Sequence, residues 1–438
     1  TDIEKRSVAQ DGHVNLPEAE KAAKTCGEYK ARVARGDYFA NQRAGMTDIA
    51  ISATTINRLW KQWGLKQRPA NFDELLTERY GFNPAPYPNP YPLPGEDPVA
   101  SNGGSGQLPM GLIQGRDASG NYNGKISINC YICHGGQIGS AEDGEGLGPI
   151  RGMGKTNTDM MIFMRDISQG IVGALPIALN NVRGTSNAVG AFDMLTMIWD
   201  VDTLSLMPNP IKLPFSHSYH GSQDMPNWWN SSHRPRKFFD GGVSVDSTRI
   251  DMAAADQLNL LRSGESRRAA TELHDQDLQA YVDAQKSPPF PGEIDTALAE
   301  QGAIIFHNKN LWANGVNANI PQPNGNGSCA GCHGAYSPRY IHNPGFLENP
   351  ALEGVAGYIV PLDLIQTDPA RALSITAQVR AVFKSSWWGY PDGAPGYVPP
   401  GEKSAWDEYR DDFAYPIINP EGRPADGACG WAEDFGYL

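Results

Sequence analysis

What the 438-residue sequence lacks narrows it first. No apolar run approaches the roughly 18 residues that a spanning helix needs, so no membrane span is expected. Only 19% of residues are charged, and 36 Lys and Arg stand against 49 Asp and Glu, a net charge of −13. That shortage of positive charge argues against nucleic acid, or an anionic membrane surface, as the main partner. The start, Thr1-Asp2-Ile3-Glu4-Lys5, has neither Met nor an apolar signal core. It fits a mature chain whose export signal has been removed, so the expected location is periplasmic or secreted, in a bacterium. No Met follows Met252, and no His lies between His134 and His217. Both gaps restrict which side chains can serve as metal ligands.

Length alone predicts two or three domains at roughly 150 residues each. The 48 Gly and 34 Pro imply long, irregular connections. Helical patterns are expected over 17–36, from Pro17 to Gly36, then over 46–66 and from Asn71 to Tyr80. The passage from Pro84 to Pro94 carries so much proline that it reads as an extended strap or linker. Further helices are expected over 155–173, which is rich in Met, over 251–263, and through Asp277 to Val282. Ser287-Pro288-Pro289-Phe290-Pro291 then stops the helix, and another opens at Ile294 and runs to Phe306.

The six cysteines carry the chemistry. Cys130-Tyr131-Ile132-Cys133-His134 and Cys329-Ala330-Gly331-Cys332-His333 share one pattern, C-x-x-C-H, the attachment signature for c-type haem. Two thiols three positions apart on one helical turn can form thioethers to both vinyl groups of a porphyrin. The next residue then offers its imidazole to the iron. A zinc site would require the two pairs to converge and would leave the following histidines without a role. Two covalently attached haems are therefore expected, on Cys130, Cys133, Cys329 and Cys332, with His134 and His333 as iron ligands. Cys26 and Cys429 remain, either as a disulfide joining the ends or as two buried thiols.

A glycine-bearing helix, then C-x-x-C-H, then a closing helix is the layout of a small all-α cytochrome c domain. The expected fold is mainly α, with little β: two tandem cytochrome c-like haem domains carrying long irregular insertions. Residues 1–104 form an N-terminal helical extension with the Pro-rich strap, 105–291 the first haem domain and 292–438 the second.

Several further stretches resemble the bacterial di-haem cytochrome c peroxidase superfamily, and within it the rubber oxygenase-like branch. They are Arg79-Tyr80-Gly81 with the Pro-rich strap, Leu108 to Leu112, Gly146-Leu147-Gly148, Asp224 to Asn230, and Arg236 to Gly241. In the second half they are Cys329 to Tyr336, Tyr358 to Leu362 and Thr367 to Ala370. The resemblance implies a reactive haem, activating peroxide or dioxygen, at His134, and an electron-relaying haem at His333. It also implies a tryptophan bridge between them, for which Trp228-Trp229 is the candidate. Phe238 and Phe239 look like the loop walling the distal pocket. Asp240, with Glu142 and Glu145, could supply the acid–base group that a peroxidase needs. Arg234 and Arg236 are candidates to pair with haem propionates.

The sixth ligands stay open. Met153, Met160, Met161 and Met164 are the nearby candidates for the first haem. His342, the only histidine after His333, or the upstream His307, competes with an open position at the second. The C-terminal motif in which the family usually places a ligand histidine is not found before Leu438. Some relatives also hold calcium between the units, a matter the sequence leaves open. Three functions compete: peroxidase-type reduction of hydrogen peroxide, dioxygen-dependent cleavage of an apolar alkene or aromatic substrate, and plain electron transfer. Peroxidase chemistry leads as the broader property of the superfamily. The partners it implies are peroxide or O2, and a small electron-donor protein or organic substrate.

Overall fold

The computed structural model describes residues 26–42 and, with short breaks, 51–169, 224–237, 243–244 and 263–333, with Arg183, Gly184, Asp200, Ser205 and Arg249. Within these residues 45% are helical and 14% lie in strands, so the fold is helix-rich. No helix among the described residues is long and apolar enough to cross a membrane.

Helix α1 spans Cys26–Gln42, so it runs through Gly36 rather than ending there. Gly36 is where it passes the long helix α6 (Gly264–Asp283): a Cβ there would stand 2.0 Å from the Asp277 carbonyl oxygen and 2.6 Å from the Tyr281 Cβ. Arg35 grips Asp277 with two bonds of 2.7 Å, and Arg32 reaches Gln276 at 2.9 Å. The helix expected over 46–66 is broken. Ile51–Ser52 forms strand β1, Ser52 caps the five-residue helix α2 (Ala53–Asn57), and a 3₁₀ turn follows at Leu59–Lys61. Pairing of Ile51 with Ile126 makes this segment an edge strand, a tertiary contact overriding local helix preference. Helix α3 (Phe72–Tyr80) forms as expected, closed by Gly81 in the left-handed conformation.

The strap enters a small two-stranded pairing of β2 (Pro90–Tyr91) with β3 (Gly106–Gln107). Strands β4 (Leu112–Arg116) and β5 (Tyr122–Ile128) then form an antiparallel hairpin with β1 on its flank, in the order β1-β5-β4. One apolar core joins these parts: Phe72, Leu76, Tyr80 and Phe82 meet Leu112, Ile126, Ile128, Ile132 and Phe163. Helix α4 (Tyr131–His134) sits between β5 and the hairpin β6 (Gly135–Ile138) with β7 (Gly148–Arg151). Helix α5 covers only Met160–Ile167, shorter than the expected 155–173, because Asp159 caps it and Lys155 is held by the Cys133 carbonyl. A 3₁₀ turn at Trp228–His233 and short strands β8 (Arg236–Lys237) and β9 (Val243–Ser244) precede α6.

Helix α6 is longer than the periodicity around Asp277–Val282 suggested, and Ser263 caps it. Helix α7 (Thr296–Asn308) opens two residues after Ile294, where the Asp295 carboxylate accepts from two backbone N–H groups at 3.0 Å. Among the described residues nothing lies within 4 Å of where a Cβ at Gly302 would stand. The short helix α8 (Ala330–His333) ends the described chain. The helix expected over 251–263 lies almost wholly outside the described residues, as do Cys429 and the side chain of Cys26.

Candidate functional site

The first Cys–Cys–His turn is built by the backbone before any side chain acts. Asn129 leaves β5 and accepts from the Tyr131 N–H at 3.0 Å, while its own N–H reaches the Gly111 carbonyl at 2.9 Å. The His134 N–H then closes one α-turn on the Cys130 carbonyl at 3.1 Å, which places both thiols and the imidazole on that turn. Gly111 lets the incoming loop pass, since a Cβ there would stand 2.5 Å from the Ile132 Cα.

Three successive carbonyls at the end of the turn find donors. Cys133 accepts from the Lys155 N–H at 3.0 Å and His134 from the Gly152 N–H at 2.7 Å. Gly135 accepts from the Asn83 amide at 2.7 Å. A second loop is locked on by Asn227, whose side chain accepts from the Gly154 N–H at 2.8 Å, and by the Trp228 N–H donating to Gly152 at 2.8 Å.

This loop fixes the histidine. The His134 Nδ1 lies 3.0 Å from the Pro226 carbonyl oxygen. A carbonyl only accepts, so Nδ1 carries the hydrogen and Nε2 keeps its lone pair. The Trp228 indole stacks on the imidazole at 4.7 Å between centroids and 29° between planes. Burial lowers the His134 pKa to about 4, with the Pro226 carbonyl opposing, so the ring is neutral at physiological pH. Burial pushes the Cys133 thiol up to about 11, against the opposing effect of Lys155. Neither Cys130 nor Cys133 is in a disulfide.

Lys155 is fully buried, its ammonium 4.7 Å over the Phe82 ring, and burial lowers its pKa to about 7. Its Nζ has no hydrogen-bond partner among the described residues. An orphaned polar atom in a dry core beside a thiol marks a place where a further group fits.

Two thiols and one imidazole lone pair on a single turn are the donor set for thioether attachment of a porphyrin and axial ligation of its iron. Fixing Nδ1–H on a carbonyl sets the tautomer and orientation of such a ligand.

The second turn repeats the backbone geometry. The His333 N–H closes on the Cys329 carbonyl at 3.0 Å, and Cys329 is a free thiol. The approach differs: Asn326 accepts from the Ser328 N–H at 2.9 Å and donates to the His307 carbonyl at 2.8 Å. Phe306 lies 6.2 Å from His333, whose side is exposed. His307 is buried, its Nδ1 2.7 Å from the Ala303 carbonyl, and burial lowers its pKa. Among the described residues no group of three or more His, Cys, Asp or Glu is placed to hold a metal ion.

Of the other candidates, Trp229 sits half-buried in the 3₁₀ turn beside Trp228, and it is Trp228 that meets His134. Phe238, Phe239, Asp240, Glu142, Glu145, His342 and Arg234 lie outside the described residues, as does the side chain of Cys332. Sequence reasoning missed Pro226, Lys155, Tyr131 and Tyr281. The last two are buried beside Trp228, each ring 5.9 Å from the indole, and their hydroxyl oxygens are 2.6 Å apart. The Tyr within C-Y-I-C-H was the one visible signal, but an x position there gives no hint of a partner 150 residues away.

No known family model matches the chain, and no curated protein matches it.

Proposed function

We propose that the chain is a periplasmic di-haem c-type oxidoreductase of the cytochrome c peroxidase kind. One haem is carried by Cys130, Cys133 and His134, the other by Cys329, Cys332 and His333. The observation that carries this is the His134 imidazole, oriented by the Pro226 carbonyl and Trp228, on the same turn as the Cys130 and Cys133 thiols.

A haem held there would supply the redox chemistry that reduces hydrogen peroxide, and a haem on the second turn would relay electrons to it. The protein's part is positional and electrostatic. Cys130 and Cys133 would attach the macrocycle, and His134 would offer Nε2 to the iron as a base. The Pro226 carbonyl, by holding the Nδ1 hydrogen, makes that base more electron-rich. Trp228 prevents the ring from rotating. Asp240 is the candidate proton carrier between peroxide oxygens, with Phe238 and Phe239 walling the pocket.

A second reading, dioxygen-dependent cleavage of an apolar alkene or aromatic substrate, is favoured by one observation. Cys133 packs against the apolar core that includes Phe82 and Phe163, and apolar surroundings suit dioxygen.

The test is to purify the exported protein, count haems by mass, and record spectra before and after adding peroxide, dioxygen and reductant. Rapid peroxide-dependent changes at one haem are expected. A stable oxy-form as isolated, with slow peroxide turnover, would select the oxygenase reading. Two saturated low-spin haems that ignore both oxidants would leave electron transfer.

A further inference from the structure

We propose that Tyr131 and Tyr281 form a redox-active pair that carries electrons to the first haem site from a surface cavity lined by Asp37 and Arg151. The inference rests on the reading of His134 as a haem ligand and deepens it by naming a second entry route for reducing equivalents, beside the one through the second haem.

Packing alone does not call for these two hydroxyls. Phenylalanine would fill the same space, and burying a phenol costs free energy unless its hydroxyl is bonded. Here two phenols, 0% and 5% exposed, meet each other at 2.6 Å. Both rings lie 5.9 Å from Trp228, which stacks on His134 at 4.7 Å. The four rings make an unbroken aromatic path, with no gap that an electron must cross through aliphatic packing.

A phenol gives up an electron readily only when its proton has somewhere to go. Asp37 provides the acceptor. Gly36 lets α1 press against Tyr281, so the next residue stands beside that phenol and its carboxylate helps to raise the Tyr281 pKa, behind burial as the main cause. Asp37 also lies 3.6 Å from the Arg151 guanidinium, and Arg151 bonds Asn41 at 3.3 Å. These three side chains, with Tyr87 and Arg116, line a cavity of about 860 Å³ between α1 and the proline strap. A space of that size admits a small organic molecule, and two guanidiniums against the one carboxylate of Asp37 leave a net positive lining that favours an oxidisable anion, a phenolic carboxylate.

The step balances as follows. With a haem held at His134, one electron would pass from the tyrosine pair through Trp228 to that site, and the phenolic proton would move to the Asp37 carboxylate. A phenolic carboxylate in the cavity would return one electron and release its own phenolic proton, becoming a phenoxyl radical, while the proton on Asp37 moves back to the tyrosine. Two such cycles supply the two electrons that, with two protons, reduce one hydrogen peroxide to two waters.

The test uses the holoprotein, freeze-quenched after peroxide addition and examined by electron paramagnetic resonance. The expected signal is a phenoxyl radical that narrows when the protein contains ring-deuterated tyrosine. It should fall about tenfold or more in the double variant Tyr131→Phe/Tyr281→Phe. Removing both hydroxyls leaves no orphaned donor, so the double variant is expected to fold, as near-ultraviolet circular dichroism would verify. Asp37→Asn should keep the haem spectrum and slow radical formation. A radical unchanged by tyrosine deuteration, or unchanged in the double variant, overturns the proposal.

Failure of the functional reading looks different. If peroxide leaves the haem spectrum untouched, peroxidase function falls. The pair is then judged by oxidation of the ferrous haem with a flash-generated ruthenium(III) complex. Equal rates in wild type and double variant overturn it, and a rate about tenfold lower in the variant supports it. A preparation without haem at Cys130 and Cys133 overturns both.

Discussion

The two Cys–Cys–His turns share their sequence pattern and their closing hydrogen bond, 3.1 Å in the first and 3.0 Å in the second, yet their surroundings differ. The first lies between strands β5 and β6, so the chain is fixed on both sides, and a distant loop supplies Pro226, Asn227 and Trp228. The second follows a Gly- and Asn-rich loop that organises itself through local bonds. Asn310 accepts from the Trp312 N–H at 2.8 Å, Asn317 donates to Leu311 at 2.7 Å, and the Trp312 indole donates to Ile320 at 2.7 Å. His134 is half-buried and oriented, whereas His333 is exposed within the described residues. A five-residue motif thus sets its own turn, while the orientation of its histidine comes from elsewhere in the chain.

The comparison can be broken outright by removing one attachment site at a time. Cys130→Ala/Cys133→Ala should eliminate one covalent haem and leave the other, and Cys329→Ala/Cys332→Ala should do the reverse. Intact mass of the exported protein reads both, and loss of both haems from either variant would show that the units do not mature independently.

Removing the tryptophans sharpens the contrast in packing. Trp228→Ala deletes a side chain 8% exposed and should cost about 3–5 kcal/mol by chemical denaturation. Trp312→Ala, half-buried and held by one bond to Ile320, should cost about 1–2 kcal/mol. Equal losses would mean that the second turn is as firmly wrapped as the first.

Lys155 gives the first turn a pH signature. Its folded pKa, about 7, lies below the ordinary 10.5, so the unfolded chain binds more protons between those values. The cost of burying the ammonium is fully present below pH 7 and disappears as pH rises towards 10.5. Stability should therefore rise across this window by about 2 kcal/mol, allowing half of the full linkage for local relaxation. Lys155→Met should remove that rise. A slope identical to wild type would show that the ammonium is solvated or paired.

The smallest effect belongs to the surface contact that joins α1 to α6. Arg35 is 56% exposed, so Arg35→Ala should cost only about 0.5–1 kcal/mol despite its two short bonds to Asp277. It should leave haem content unchanged.

Helix positions were legible where one local signal dominated. Helix α3 lies where Asn71 to Tyr80 predicted it, with Gly81 as its stop, and α7 opens behind an aspartate cap. The stretch 46–66 misled because β1 becomes a strand only through β5, which lies about 75 residues further along. The 155–173 segment misled for a related reason: Lys155 is drawn onto the Cys133 carbonyl and cannot begin a helix. The aromatic cluster was only half legible. A Trp-Trp pair announced itself, but nothing local shows that Tyr131 and Tyr281 would meet.

By itself the sequence determined the thiol and imidazole sets, since three side chains on one turn follow from spacing alone. It also determined the acidic balance and the lack of a long apolar run. Only the tertiary structure decided the His134 tautomer, the indole stacked on it, the burial of Lys155 and the meeting of two tyrosines. Each of these depends on groups 22 to 150 residues apart, and local periodicity carries no information about contacts at that range.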